Sequence, residues 1–462
     1  MLRDRYLRID VTDLIPQLNL SMEPELAQMD TLLDDDTMFQ MVKLDLAKRY
    51  AHTMTDGRPS TPVEVILRLL VVKHLFGWSY EETERWVRDS LSLRQFCRVY
   101  LEAVPDDTTL LRWANLIQPK TLHDLLDHVL HLAQSRKVTR GRKLRMDGTV
   151  VETNIHHPTD STLLSDGVRV LSRTLKRART VLSEARSLSG AVFRDRTRTA
   201  KRCATSIMDA VRQRGEEAAQ TRKATYRRLL AVTQATVRQA RQAETALKEA
   251  GTHTSQKLAK RLGDMVGLVE RVIDQATRRV LQGQKVPATE KLVSLFEPET
   301  AIIRKGKIDH PTEFGRAVWL DEVEGGLISR YAVLDGNPGD AEQFIPSLDH
   351  HVAVFDKPPG LATADRGVYS SANEEYALQQ GVKHVAIPKP GAKSAERAAH
   401  EKQRWFRQGY AWRSGSEGRI SLLKRCFGLE RCLYHSDAGM ERWVGWGVIA
   451  HDLRAIVRAT SC

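Results

Sequence analysis

The sequence predicts a mixed α/β core that follows an N-terminal helical bundle and is interrupted by a long basic helical block. Three observations predict it. Helix-start signals crowd the first 130 residues, a proline-free run of 128 residues extends from Thr159 to Val286, and β-branched or alternating segments flank that run. At about 100–200 residues per domain, 462 residues allow roughly two to four domains and ample buried core.

The bundle comes first. Thr61-Pro62-Val63-Glu64 has capping-box spacing with proline at the first helical position, and its helix should stop near Gly77. Ser79 to Glu82 and Ser92 to Gln95 repeat the spacing, so two short helices follow. Such a bundle can offer a helix to a DNA major groove, although small bundles have many other uses. Val65 to Phe76 is the most apolar early stretch, but Arg68 and Lys73 break it and the N-terminus lacks a signal-peptide core. No membrane span is expected.

Lys143 to Thr153 reads as a strand, and the basic block follows it. Between Leu171 and Ala250 there are 19 Lys/Arg against 7 Asp/Glu, a net +12 out of +13 for the whole chain. The block reads as helices broken near Gly190, Gly215 and Gly251. A solvated spacer or dimerising hairpin and a DNA-tracking surface are equally compatible with it. Beyond Val286, Ala317 to Asp321 and Ser329 to Leu334 form a hairpin around Glu324-Gly325-Gly326. A helix at 340–350, a strand at 361–364, a helix at 371–380, a strand at 384–387 and a helix at 417–427 closed by Gly428 complete the pattern.

Composition narrows the partners. A pI near 9.5 favours a polyanion, with nucleic acid leading. The five cysteines, Cys97, Cys203, Cys426, Cys432 and Cys462, contain no C-x-x-C pair, so neither a disulfide framework nor a thiolate zinc site is suggested, and a reducing cytosol fits. His156-His157 and His350-His351 lack zinc spacing. With no G-x-x-x-x-G-K and no G-x-S-x-G, NTP-driven and serine-hydrolase chemistry are disfavoured, and no nucleotide cofactor is expected.

Three carboxylates carry the candidate chemistry. Asp147 shares a strand face with Thr149 and Val151 while Glu152 points away. Asp365 follows an apolar strand at its carboxyl end, where open sheets put ligand sites, and Glu417 begins the late helix. Gathered without cations, the three would repel one another and resist ionisation. Two divalent ions would neutralise them and could activate a water or hydroxyl and stabilise the leaving oxygen of a phosphodiester. Tyr410, Arg413, Glu417 and Lys424 are spaced Y-x2-R-x3-E-x6-K, which on one continuous helix brings them within about 60° of one another. Gly415 and Gly418 warn of the alternative, in which Tyr410 and Arg413 precede the helix and the alignment covers Glu417 and Lys424 alone. Trp405 and Trp412 flank this run and are candidates for stacking on a base, although buried packing is the commoner fate of tryptophan. Asp160 reads as an N-cap for a helix beginning at Ser161 rather than a metal ligand.

These residues resemble insertion-sequence transposases of the Asp-Asp-Glu type, in the group marked by a Tyr-Arg-Glu-Lys signature. The resemblance runs through Pro59-Ser-Thr-Pro-Val-Glu to Trp86, Met146-Asp-Gly-Thr-Val-Val-Glu-Thr-Asn-Ile with Pro158-Thr-Asp-Ser, Glu313-Phe-Gly, Ala364-Asp-Arg-Gly, and Tyr410 to Lys424. It implies a ribonuclease-H-like catalytic core with Asp147 on the first strand, Asp365 after the fourth and Glu417 on the last main helix, all three binding two Mg²⁺ ions, with Mn²⁺ as the alternative. It further implies DNA contacts by Tyr410, Arg413 and Lys424; Arg366, next to Asp365, is a further candidate DNA contact. The partners implied are double-stranded DNA, as terminal inverted repeats and target, and a second copy in a homodimer, in a bacterial cytoplasm and on the nucleoid when bound. The expected division is 1–135 for an N-terminal DNA-binding domain, 136–164 for the first part of the core, 165–296 for the basic insertion and 297–462 for the remainder with a C-terminal helix. Better-known members of this broad group carry their insertion before the glutamate helix, whereas here it follows the first strand. A non-catalytic DNA-binding protein, either a repressor or an inactivated transposase, and a metal-dependent nuclease are the competing expectations.

Overall fold

The computed structural model describes residues 1–8, 22–184, 193–213, 215–304 and 312–460. Among the described residues, seven helices come first: α1 Pro24–Leu33, α2 Asp36–Ala47, α3 Val63–Phe76, α4 Tyr80–Asp89, α5 Leu91–Phe96, α6 Asp107–Ala114 and α7 Pro119–Ser135. Strand β1, Lys143–Thr153, precedes four long helices, α8 Asp160–Glu184, α9 Thr197–Arg212, α10 Glu216–Glu249 and α11 His253–Ala276. Then come β2 Ala301–Arg304, β3 Thr312–Val323, β4 Leu327–Val333, α12 Phe344–Phe355, β5 Leu361–Ala364, α13 Ser371–Gln379 and β6 His384–Ala386. The chain closes with α14 Ala395–Glu401, α15 Arg404–Arg413, α16 Gly415–Cys426, β7 Arg431–Cys432 and α17 Asp437–Thr460. The fold is mixed α/β. It divides into one unit of Met1–Asn154 with Arg316–Cys462 and another of Ile155–Gly315.

In the first unit the strands run in the order β4–β3–β1–β5–β6, with β7 paired to the end of β1. β3 and β4 form the expected antiparallel hairpin, whereas β1, β5 and β6 are parallel. One apolar core joins the N-terminal helices to this sheet, from Ile66 and Leu69 of α3 through Val129 of α7 to Trp319, Phe344 and Trp446. Each fully buried side chain of this size contributes about 1.5–3 kcal/mol. α3 is enclosed on nearly every side, from Val63 to Leu75, so it is a central helix and not an amphipathic surface one.

Local signals decide the helix ends, with two corrections. Gly77 takes the left-handed conformation at φ +69° and closes α3, and Ser79 with Glu82 forms the reciprocal capping box of α4. At Thr61 no side-chain cap forms: Pro62 itself occupies the cap position of α3. The cap of α5 is Ser90, which accepts from the Leu93 amide, in place of Ser92.

The second unit has its own core, built by Leu164 and Leu171 of α8, Leu229 of α10, and Leu262 and Val269 of α11. Asp160 is not an N-cap. It is buried and accepts from Gln275 of α11 at 2.7 Å and Arg279 at 2.8 Å, while Thr159 caps α8 through the Thr162 amide. The expected break at Gly215 precedes α10 and that at Gly251 precedes α11; Gly190 lies outside the described residues. β2 pairs with the first four residues of β3.

Candidate active site

The site is built on two neighbouring parallel strands. Met146 of β1 stands beside Ala364 of β5, so the next residues, Asp147 and Asp365, emerge side by side on strands about 4.8 Å apart. Asp365 ends its strand and accepts the Arg366 amide at 2.7 Å, capping a short 3₁₀ turn. Asp147 accepts three bonds: its Oδ1 takes the Gly148 amide at 2.9 Å, and its Oδ2 takes Arg413 Nη2 at 3.0 Å and the Ser416 hydroxyl at 2.6 Å.

A third aspartate stands with them. Asp340 precedes α12, and its carboxylate lies over the two glycines that follow the paired acids. Its Oδ2 is 3.3 Å from where a Cβ on Gly367 would sit, and its Oδ1 is 3.9 Å from the corresponding point on Gly148. Although part of Asp340 reaches solvent, protein atoms enclose its carboxyl enough for desolvation to be the first cause raising its pKa, followed by the charges of Asp147 and Asp365. The sequence reading passed over this residue as the start of a helix. The one available signal was a glycine within two residues of each acid, Gly148 after Asp147 and Gly367 after Asp365.

Glu417 reaches the cluster only through an arginine. Arg413, nearly buried, binds Asp147 at 3.0 Å and Glu417 at 3.4 Å, while the Glu417 side chain is 75% exposed. Among the described residues, no three His, Cys, Asp or Glu side chains are arranged to hold one metal ion. The donors are nonetheless hard oxygens, and Asp340 stands close enough to Asp147 and Asp365 for their charges to add to the desolvation that raises its carboxyl. In kind, the residues fit a divalent cation, with Arg413 as the positive charge that now offsets them.

The signature is split over two helices. α15 ends at Arg413, Ser414 forms the joint, and α16 starts at Gly415. The single-helix alignment of all four residues therefore does not hold, although Arg413 and Glu417 still meet across the joint. Half-buried Tyr410 lies one turn before Arg413 on α15, and Lys424 lies in the last turn of α16.

A buried ionic chain fixes that joint. Arg145 of β1 forks onto Glu322 of β3 at 2.6 and 2.9 Å and donates to the Trp412 carbonyl at 2.5 Å. Its guanidinium passes so close to Gly415 that any side chain there would collide with it. Arg419 of α16 shares Glu322 at 3.2 Å and donates to His451 Nε2 at 3.0 Å; the opposite ring nitrogen, Nδ1, then donates to Asp452 at 2.7 Å. Burial raises the Asp452 carboxyl, against the pull of His451.

The remaining expected DNA contacts vary in exposure. Arg366 faces solvent. Trp405 stacks on His384 at 4.5 Å, and Trp412 lies under Arg145 at 4.8 Å and Lys143 at 5.7 Å, so each ring is partly engaged by protein.

Residues 11–116 match the transposase domain DUF772. That match supports a transposase-family protein. The matched segment takes in α1 to α6 and ends before Asp147. The chain is also 32% identical over 128 residues to an uncharacterized protein, ORF8 in the nfe locus of Rhizobium meliloti, across 26% of this chain. It spans 61% of the length of that relative. No solved structure matches. Among the described residues, no helix is long and apolar enough to cross a membrane.

Proposed function

We propose that the chain is a metal-dependent DNA transposase of the Asp-Asp-Glu type, which binds terminal inverted repeats, cuts phosphodiesters at the ends of its element and joins them to target DNA. The observation that carries this is the adjacency of Asp147 and Asp365 on β1 and β5, with Arg413 linking Asp147 to Glu417. The strand order β4–β3–β1–β5–β6, antiparallel in the hairpin and parallel at β1, β5 and β6, supports a ribonuclease-H-like core. The transposase-domain match at 11–116 supports the DNA-processing role.

Asp147, Asp365 and Glu417 would hold the metal. Two Mg²⁺ ions, when bound, supply activation of the attacking water or 3′-hydroxyl and charge stabilisation of the leaving oxygen. The chain's own residues do the positioning. Ser416 fixes the Asp147 carboxylate by donating to Oδ2, and Arg413 holds Glu417 within reach while offsetting repulsion among the acids. The Arg145–Glu322–Arg419 chain ties α16 to the strands that carry Asp147 and the hairpin. Tyr410, Lys424 and Arg366 serve as DNA contacts, and Arg and Lys would make binding strongly salt-dependent.

The test is strand cleavage of a terminal-repeat duplex in Mg²⁺. Asp147→Asn, Asp365→Asn and Glu417→Gln should each lower the rate by about 10³-fold, about 4 kcal/mol of barrier, with repeat binding changed little. Near-normal cleavage by any one removes that residue from the site. A second reading, repeat binding without cleavage, draws on the outward-facing Glu417; wild-type protein that binds repeats but leaves them intact would select it.

A further inference from the structure

Among the described residues of the first unit, one buried charge has no anionic partner. Lys73, in the last turn of α3, is 2% exposed, yet among the described residues its ammonium has no carboxylate within ion-pair distance and donates no hydrogen bond. Three rings surround it instead: Tyr80 at 4.7 Å, Trp443 at 5.0 Å and Tyr434 at 5.1 Å. The tyrosine hydroxyls are turned to each other at 2.6 Å, and His74 takes the Tyr434 oxygen at 3.3 Å, so neither serves the lysine. Aromatic faces soften a buried ammonium but do not replace an anion.

Lys73 also lines a cavity of about 460 Å³, within the range of small-molecule sites. Lys424 and Arg431 add two more cations to its lining, against one acid, Glu430. Trp78, Phe427 and Trp443 supply flat apolar walls. Arg431 is already held by Glu152 at 2.6 Å, so the unmet charge is that of Lys73: an anion alone would answer it but leave the half-buried Trp78 face unused, and an apolar ring alone would leave Lys73 without a counterion. A molecule with a planar base and a phosphate meets both demands.

We propose that this cavity binds one nucleoside monophosphate unit, its phosphate paired with Lys73, Lys424 and Arg431 and its base against the tryptophan and phenylalanine rings. The unit is either the unpaired terminal nucleotide of a DNA strand or a free nucleotide. The first form rests on the DNA-processing reading above, and the second does not.

The experiment titrates the full-length protein, following tryptophan fluorescence, with dAMP, inorganic phosphate, a blunt duplex and the same duplex bearing a one-nucleotide overhang. Wild type is expected to bind the overhang duplex or dAMP at least 10-fold more tightly than Lys73→Met does, while blunt-duplex affinity changes less than twofold. Loss confined to the overhang duplex identifies the strand end, and loss confined to dAMP identifies the free nucleotide. Trp78→Ala, a substitution at a half-buried ring, should weaken the same ligand if Lys73→Met fails to fold. Unchanged affinities in both variants overturn the proposal, as does inorganic phosphate competing as well as dAMP. Cleavage by these variants that still depends on Asp147 would leave the transposase reading standing after the pocket had failed; Lys73-dependent dAMP binding without any wild-type cleavage would do the reverse.

Discussion

Arg68 and Lys73 ride on the same helix and are both buried, yet the fold treats their charges in opposite ways. Arg68 donates to Asp30 and Asp34 at 2.6 Å each and to the Phe96 carbonyl at 3.0 Å, and Arg98 joins the same two acids. Among the described residues, Lys73 meets rings and no carboxylate. A buried cation ringed by carboxylates belongs to the scaffold, because removing it strands the acids. One with no counterion, open to a cavity, costs the fold stability and is the charge that the proposed phosphate would pair.

The largest expected effect is on the compensated side. Arg68→Met should cost about 3–5 kcal/mol in urea denaturation, since Asp30 loses its main buried partner. A loss under 1 kcal/mol would mean that Arg98 alone satisfies both acids.

A pH series sharpens the other side. Burial pushes Lys73 down to about 8, with only the charges of Cys432 and Glu82 pulling it back, while the neighbouring His74 is held neutral by its own burial. An unfolded lysine keeps its proton to about 10.4, so between pH 8 and 10.4 the unfolded chain binds the extra proton and stability rises with pH. Relative to Lys73→Met, wild type should gain about 3 kcal/mol across that window, read from paired denaturation curves. A flat difference would place a counterion near Lys73.

The smallest effect is the substitution itself. At pH 7 Lys73→Met should be about 1–2 kcal/mol more stable than wild type, because an unpaired charge gives way to an apolar chain of similar length. Destabilisation by thermal or chemical melting would reclassify Lys73 as a structural cation.

The same two residues mark what the sequence can reveal. Linearly, both are just polar interruptions of Val65 to Phe76 that argue against a membrane span; which of them has partners depends on Asp30, Asp34 and Tyr434, far off in the chain. Periodicity located β1 at Lys143–Thr153, the β3–β4 hairpin and β5 at Leu361–Ala364, because alternation and turn glycines are local. Caps were less legible: Ser90 rather than Ser92 opens α5, and Thr61 caps nothing, since several hydroxyls sat within one turn of each start. Asp147 and Asp365 could be singled out as strand-borne acids. Asp340 could not, since its relation to them arises only when α12 packs behind the sheet. The single-helix alignment of Tyr410 with Lys424 failed at Ser414, where the warning glycine, Gly415, makes room for Arg145.

The Glu322 fork has a practical corollary. Because Arg145 and Glu322 lie almost wholly out of contact with water, dissolved ions cannot screen their attraction as they screen ion pairs on the surface. Concentrated salt should therefore loosen the surface ion pairs of this protein while leaving the helix that bears Glu417 seated on its strands.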